Sequence, residues 1–268
     1  MQPVMICRNN CIQRGLNALT FLPKIADDQA SPVAYRTIKR PMHDIDFPLS
    51  NNICLSPIKF QKNRMPKSAA EVHRCAWCTA SQLYMEYHDT EWGRPNKDER
   101  YLFEKICLEG FQAGLSWLTI LNKREAFRSA FKNFEAEKIV KFGEKDIARL
   151  LGDAGIVRHR GKIVSTINNA ARVIELREEF GSLANFIWQF EPPPDTRPTH
   201  LSLDVLRTMT TSPESIALSK ALKKRGWSFV GPTTMYAFLQ SVGVVNDHLH
   251  DCDFRAPALA LRKRFKKP

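Results

Sequence analysis

Four residues far apart in the chain carry the chemistry to share one metal ion. Cys75 and His88 come early, and His248 and Cys252 follow at least 160 residues later. Two thiols and two imidazoles with no carboxylate suit a closed tetrahedral structural site, for which zinc is the favoured divalent ion. The four-residue step from His248 to Cys252 places both on one side of a helical turn. Cys78, which forms a Cys-x2-Cys with Cys75, and His250 are rivals for these roles. Scattered thiols and histidines without metal stay open as a reading of the spacing alone. A redox use of Cys75 and Cys78 is disfavoured, since no strand-then-helix context surrounds them.

A second constellation is aromatic and acidic. Trp77, Tyr84, Tyr87 and Trp92 precede Glu109 and Trp117, and Glu109 is a carboxylate set in an apolar helical stretch. Burying a carboxylate is costly unless a cation or hydrogen-bond donor compensates it. Such a group among aromatic faces fits a pocket for a positively charged planar ligand. Ordinary core packing, with Glu109 capping or pairing locally, is the competing account.

A third feature is the turn Leu151-Gly152-Asp153-Ala154-Gly155-Ile156-Val157, between one apolar helix and another opening near His159 or Arg160. It reads as a helix-hairpin-helix. Backbone N–H groups around Gly155 and the positive end of the second helix point at one place, and Arg158, Arg160 and Lys162 add charge suited to a DNA phosphate. A plain helix-to-helix connection with solvated basic residues competes with this.

The elements that must position these groups are helical. Leu102, Phe103, Ile106, Cys107, Phe111 and Leu115 follow a 3.6-residue period, as do Ala126, Phe127, Ala130 and Phe131. Further helical patterns cover roughly 144–151, 162–178, 182–190, 212–224 and 233–242, with Gly or Pro at most intervals. No alternating run of strand length competes, so the fold class is all-α. Pro192, Pro193, Pro194 and Pro198 mark a rigid loop rather than a domain linker.

The 268-residue chain has a net charge of +12 and a pI near 9.5, which makes nucleic acid the first partner to consider. No apolar run reaches the roughly 18–20 residues a spanning helix needs, so an integral membrane protein is excluded. Residues 1–64 hold nine basic and four acidic residues and no sustained apolar period. The expected organisation is a poorly ordered basic extension over 1–70, a folded domain over 71–255, and a basic tail over 256–268. The first 26 residues lack any acid, so organelle targeting is an open reading beside a simple tail or a start at Met65.

Taken in order, five segments resemble the DNA-3-methyladenine glycosylase I family of helix-hairpin-helix enzymes. They are Arg74-Cys75-x-Trp77; Tyr84-x-x-Tyr87-His88-Asp89-x-Glu91-Trp92-Gly93; Leu108-Glu109-Gly110-x-Gln112-Ala113-Gly114-Leu115-Ser116-Trp117; Asp153-Ala154-Gly155-Ile156-x-Arg158-His159-Arg160-Gly161-Lys162-Ile163; and Val245-Asn246-Asp247-His248. The likeness runs from about Arg74 to Cys252. It implies a helix-hairpin-helix glycosylase fold whose N- and C-terminal edges are clipped by one structural zinc on Cys75, His88, His248 and Cys252. It further implies that Glu109 is the base-recognising, catalytic carboxylate, with Tyr84, Tyr87, Trp117 and Trp77 as pocket aromatics and Trp92 as a further family tryptophan. The implied activity is extrusion and hydrolytic excision of 3-methyladenine from double-stranded alkylated DNA, by a cytoplasmic monomer with no lyase step. Departures from the pattern are Cys78, the long N-terminal extension, and Val157 where such hairpins usually carry a second glycine.

Two other function classes are consistent with the residues alone. A catalytically silent, zinc-clipped DNA-binding module would not require Glu109, and a thiol oxidoreductase would depend on Cys78.

Overall fold

A computed structural model describes residues 72–268, and among them every regular element is helical. In chain order the α-helices are α1 (Gln82–Thr90), α2 (Glu99–Gln112), α3 (Trp117–Asn122), α4 (Arg124–Ala130), α5 (Ala136–Ile139) and α6 (Glu144–Gly152). They continue as α7 (Arg160–Phe180), α8 (Leu183–Ile187), α9 (Leu203–Thr208), α10 (Pro213–Lys224), α11 (Pro232–Ser241) and α12 (Arg255–Arg264). The reading of residues 1–70 as a poorly ordered extension, with its targeting alternative, lies outside the described residues.

Local chemistry sets most helix starts. Ser81, Asp98, Ser116, Ser182, Ser202 and Ser212 each accept a backbone N–H three residues on, satisfying one of the donors a helix leaves unpaired at its start. Pro213 and Pro232 occupy first helical positions, where the missing N–H costs nothing. The long helix α7 ends at Gly181 in the left-handed conformation.

Helix α2 is the axis of the domain. Every residue from Leu102 to Gln112 is buried, and α3, α7, α8 and α11 pack around it. A helix enclosed on all sides must find partners for its polar groups. Glu104 meets the guanidinium groups of Arg124 and Arg128 at 3.2 and 2.8 Å. Lys105, Glu109 and Gln112 point along another face, and their partners form the site described below.

Residues 256–268, read from sequence as a basic tail, instead lie mostly in α12. Ala258 is buried, Arg262 pairs with Glu191, and the Phe265 ring lies 4.5 Å from that of Trp188. The charge run masked a helix whose few apolar positions are enough to dock it. The proline-rich loop is likewise anchored: Arg197 pairs with the buried Asp247, which also accepts from Tyr236 Oη at 2.7 Å and Gln240 Nε2 at 2.8 Å. This network fixes the residue beside His248. After α11 the chain turns at Gly243, where φ is +71° and an added Cβ would come within 2.2 Å of the Arg94 backbone. Only glycine fits both demands. The contact brings 244–248 against the segment that follows α1. Among the described residues no helix is long and apolar enough to cross a membrane.

Candidate functional site

The chain closes on itself at a buried cluster of Cys75, His88, His248 and Cys252, whose donor atoms all lie within 4.8 Å of one another. His88 Nε2 and His248 Nδ1 are 3.1 Å apart, Cys252 Sγ is 3.5 Å from each, and Cys75 Sγ is 3.9 Å from His248 Nδ1. A tetrahedral ion bonded at about 2.1 Å to nitrogen and about 2.3 Å to sulfur separates two nitrogens by about 3.4 Å and nitrogen from sulfur by about 3.6 Å. The donor set therefore fits a metal ion in chemistry, with His88, His248 and Cys252 near tetrahedral spacing and Cys75 somewhat wider.

Outer partners orient each ligand. His88 Nδ1 lies 2.7 Å from Asp89 Oδ1, and Asp89 is gripped by Arg74 Nε and its terminal nitrogen at 2.9 and 2.8 Å. His248 Nε2 lies 3.1 Å from the Trp92 carbonyl. With these oxygens taking the outward N–H groups, the inward nitrogens present lone pairs to the cluster. The Leu249 amide donates to Cys75 Sγ at 3.4 Å. A hydrogen bond from Cys75, with others from His248 and His88, lowers Cys252 against its burial. The rivals fall outside. Cys78, held in the short 3-10 turn Ala76–Cys78, donates its thiol to the Cys75 carbonyl at 3.1 Å. His250 faces the Leu201 carbonyl and the ring of His200.

Trp92, whose role the sequence left unassigned, packs edge-on to His248 at 4.7 Å and beside His88. Trp77 joins this wall, with ring centroids 4.9 Å from Trp92 and 5.0 Å from Tyr84. Metal cluster and aromatic cluster are thus one continuous packing unit.

The second part of the site lies along α2 and the start of α3. The spacing Lys105, Glu109, Gln112 puts three polar groups on one face of α2, and Ser116 caps α3 so that Trp117 stands over that face. Glu109, 1% exposed, lies with Oε1 3.9 Å from Lys105 Nζ, and Lys105 is fully buried. Lys105 Nζ donates to Tyr87 Oη at 2.8 Å and sits 3.9 Å from the Trp117 ring centre and 4.7 Å from that of Tyr87. With its amide turned so that nitrogen faces Glu109, Gln112 donates to Oε2 at 2.8 Å and accepts from the Trp117 amide at 3.3 Å. Burial pushes Glu109 up to about 7, with Lys105 and Ser241 pulling the other way, and burial lowers Lys105 to about 8 against the pull of Glu109. Two buried atoms here have no hydrogen-bond partner among the described residues: Glu109 Oε1 and Trp117 Nε1. A buried acceptor without a hydrogen bond beside aromatic faces suits the N–H edge of a planar nitrogen heterocycle.

The hairpin has the expected form. Helix α6 ends at Gly152, Asp153 Oδ1 accepts from the Gly155 amide at 2.7 Å, and His159 caps α7. A Cβ on Gly155 would come within 2.9 Å of Ala126 Cβ, so glycine lets the turn lie against α4. Arg158 and Arg160 are exposed, the latter paired with Glu144 at 3.0 Å. Lys162 requires a correction. Its side chain is buried, and Nζ donates to the carbonyls of Phe111 at 2.8 Å and Ala113 at 2.6 Å. Its ammonium therefore caps the end of α2 rather than reaching toward phosphate, because in the first turn of α7 the side chain points at the core. Lys162→Met is expected to cost about 1.5–3 kcal/mol in urea unfolding, the worth of charged hydrogen bonds. The salt dependence of binding to undamaged duplex should stay as in the parent, whereas Arg158→Ala should reduce that slope by about one.

Sequence reasoning missed Lys105, although its i, i+4 spacing to Glu109 was visible. It also missed the Arg197–Asp247 pair, which no local pattern signals.

A helical domain of this kind, with a hairpin opening a basic helix and a carboxylate buried among aromatics, has the layout of a base-excising DNA glycosylase. Comparison with known proteins narrows the class. Residues 77–256 match the methyladenine glycosylase family. The chain is 47% identical over 183 residues to DNA-3-methyladenine glycosylase 1 of Escherichia coli (strain K12), covering 68% of this chain and 96% of that protein. It is 47% identical over 180 residues to DNA-3-methyladenine glycosylase of Haemophilus influenzae, with 67% and 96% covered. A crystal structure of 3-methyladenine DNA glycosylase I superposes with a TM-score of 0.63 at 48% identity, covering 68% of this chain and 98% of the other. The Staphylococcus aureus enzyme, solved for its recognition of 3-methyladenine, gives 0.63 at 36% identity, with 68% and 96% covered. The chain belongs to the DNA-3-methyladenine glycosylase I family.

Proposed function

We propose that this chain excises 3-methyladenine from double-stranded alkylated DNA, acting as a cytoplasmic monomer and leaving an abasic site. The observation that carries this reading is the buried carboxylate oxygen Glu109 Oε1, which accepts no hydrogen bond beside the faces of Trp117 and Tyr87. A purine extruded from the duplex supplies the donor that Glu109 Oε1 lacks. Glu109 accepts hydrogen bonds from its N–H groups, Trp117 and Tyr87 line it with aromatic surface, and Tyr84 and Trp77 complete the aromatic wall. The relatives' names point to the same base, and the family's structures include one in complex with 3-methyladenine.

A base alkylated at N3 carries a positive charge in DNA, so its glycosidic bond is weakened and its departure needs no general acid. From Ala154 to Pro194 the chain has no aspartate to stabilise a sugar cation, which leaves the charge of the substrate as the main driving force. Glu109 and the aromatic faces favour that charge. Water takes the place of the base at the sugar C1′. Phosphates on either side of the lesion are held by Arg158, Arg160 and the start of α7, with Gly155 letting the hairpin turn tightly.

The ion at Cys75, His88, His248 and Cys252 is assigned as one zinc, since buried sulfur and imidazole ligands filling all four positions match a structural site. When bound it cross-links the two ends of the domain and takes no part in the chemistry. A thiol oxidoreductase is disfavoured because Cys75 and Cys78 are both completely buried, and Cys75 belongs to the metal cluster.

Lysine chemistry at the sugar would leave a trace that hydrolysis does not. With an alkylated duplex the product should be an intact strand carrying an abasic site, and borohydride should trap no covalent complex. Trapped complex or strand cleavage by the purified chain would replace the hydrolytic reading with a lyase.

A further inference from the structure

Lys105 stands where the proposed pocket asks for a cation. Its ammonium lies 3.9 Å from the centre of the Trp117 ring, 4.7 Å from that of Tyr87 and 3.9 Å from Glu109 Oε1, and it is wholly shielded from solvent. These are the same groups that would face a cationic purine. Two positive charges held against the one carboxylate of Glu109 in so dry a site carry a steep electrostatic cost.

We propose that Lys105 is the placeholder cation of the base pocket: it balances Glu109 until a cationic purine arrives, then gives up its proton to water that enters with the base. The inference rests on the assignment of Glu109, Trp117 and Tyr87 as the base site. It adds that recognition of the charged base is coupled to the charge of a lysine on the recognition helix itself.

The environment of Lys105 suits that exchange. Tyr87 and Glu91 act on it from α1 and the following turn, Glu104 and Glu109 from its own helix, and Arg124 from α4. Of the neighbouring helices, α11 commits Tyr236 to Asp247, and α7 commits Lys162 to the α2 carbonyls. Burial already lowers Lys105 to about 8, so its proton is held weakly near neutral pH. A neutral amine keeps its hydrogen bond with Tyr87 Oη and removes the conflict with an incoming positive charge. The order of charges is then fixed: lysinium with carboxylate before binding, purinium with carboxylate after it.

The test follows the lysine directly by NMR on the full chain, carrying 13C-labelled lysine, titrated with and without 3,9-dimethyladenine. That purine is cationic at neutral pH because both ring nitrogens are alkylated. Lys105→Met assigns the resonance by its disappearance. Should that variant fail to fold, Trp117→Phe assigns it instead, because the ring 3.9 Å away dominates its chemical shift. Without the purine Lys105 should titrate near 8, and with it bound the transition should move down by at least about one pH unit, the usual effect of a like charge at this range. If the purine binds, as shown by quenched tryptophan fluorescence, and Lys105 titrates as before, the placeholder role is wrong while the pocket stands. Failure of the purine to bind at all would overturn the pocket assignment, and this inference with it.

Discussion

Glu109→Gln should lower 3-methyladenine excision at least roughly tenfold while the protein stays folded. The substitution keeps the shape of the side chain and removes its charge. A charge-assisted hydrogen bond in a dry site is worth about 1.5–3 kcal/mol, and a factor of ten corresponds to about 1.4 kcal/mol. Lys105 keeps Tyr87 Oη and the two rings as partners, and Gln112 keeps an oxygen to donate to, so the packing of α2 survives. Binding to undamaged duplex should barely change, since it depends on Arg158, Arg160 and the hairpin. The pH profile gives a second readout. Because burial lifts Glu109 to about 7, the parent should lose activity as the pH falls through that value and the carboxylate takes up a proton. The glutamine variant has no such group and should lack that acid limb in single-turnover excision. Parent-like excision with an unchanged acid limb would make Glu109 a structural residue.

Loss of the metal ligands should have the larger effect on the fold. Cys75→Ser or His248→Ala is expected to abolish metal content and lower stability by several kcal/mol, because the cluster joins the first described segment to the last one before α12. Breaking it also releases the outer partners Asp89 and Arg74 and loosens the packing of Trp92 and Trp77. Cys78→Ser should retain one metal ion per chain, since Cys78 spends its thiol on the Cys75 carbonyl. Elemental analysis with thermal melts before and after chelation decides the matter. A chain free of metal with undiminished stability would show that the four residues are only packed together.

The long helices were legible because each repeats its apolar period several times. The patterns over 162–178, 212–224 and 233–242 correspond to α7, α10 and α11 within about two residues. Helices of four to six residues, such as α3, α5 and α9, complete barely one period and owe their form to caps and neighbours instead. The same division holds within the site. Cys75, His88, His248 and Cys252 were nameable from their types, yet only the fold separates Cys78 and His250 from them. Lys162 looked like a phosphate ligand because a basic residue beside a hairpin is usually solvated, and its direction depends on how α7 lies on α2. Asp247 shows the limit most plainly, since its partner Arg197 stands fifty residues away in a proline-rich loop.

The central claim is that the chain removes one kind of base from DNA. Duplex DNA methylated with a radiolabelled alkylating agent, incubated with the purified chain and followed by chromatography of the freed bases, tests it directly. Labelled 3-methyladenine should appear in the soluble fraction, with release from Glu109→Gln reduced at least roughly tenfold. Tight binding of the DNA with no freed base would contradict the account and leave a silent, metal-clipped binding module in its place.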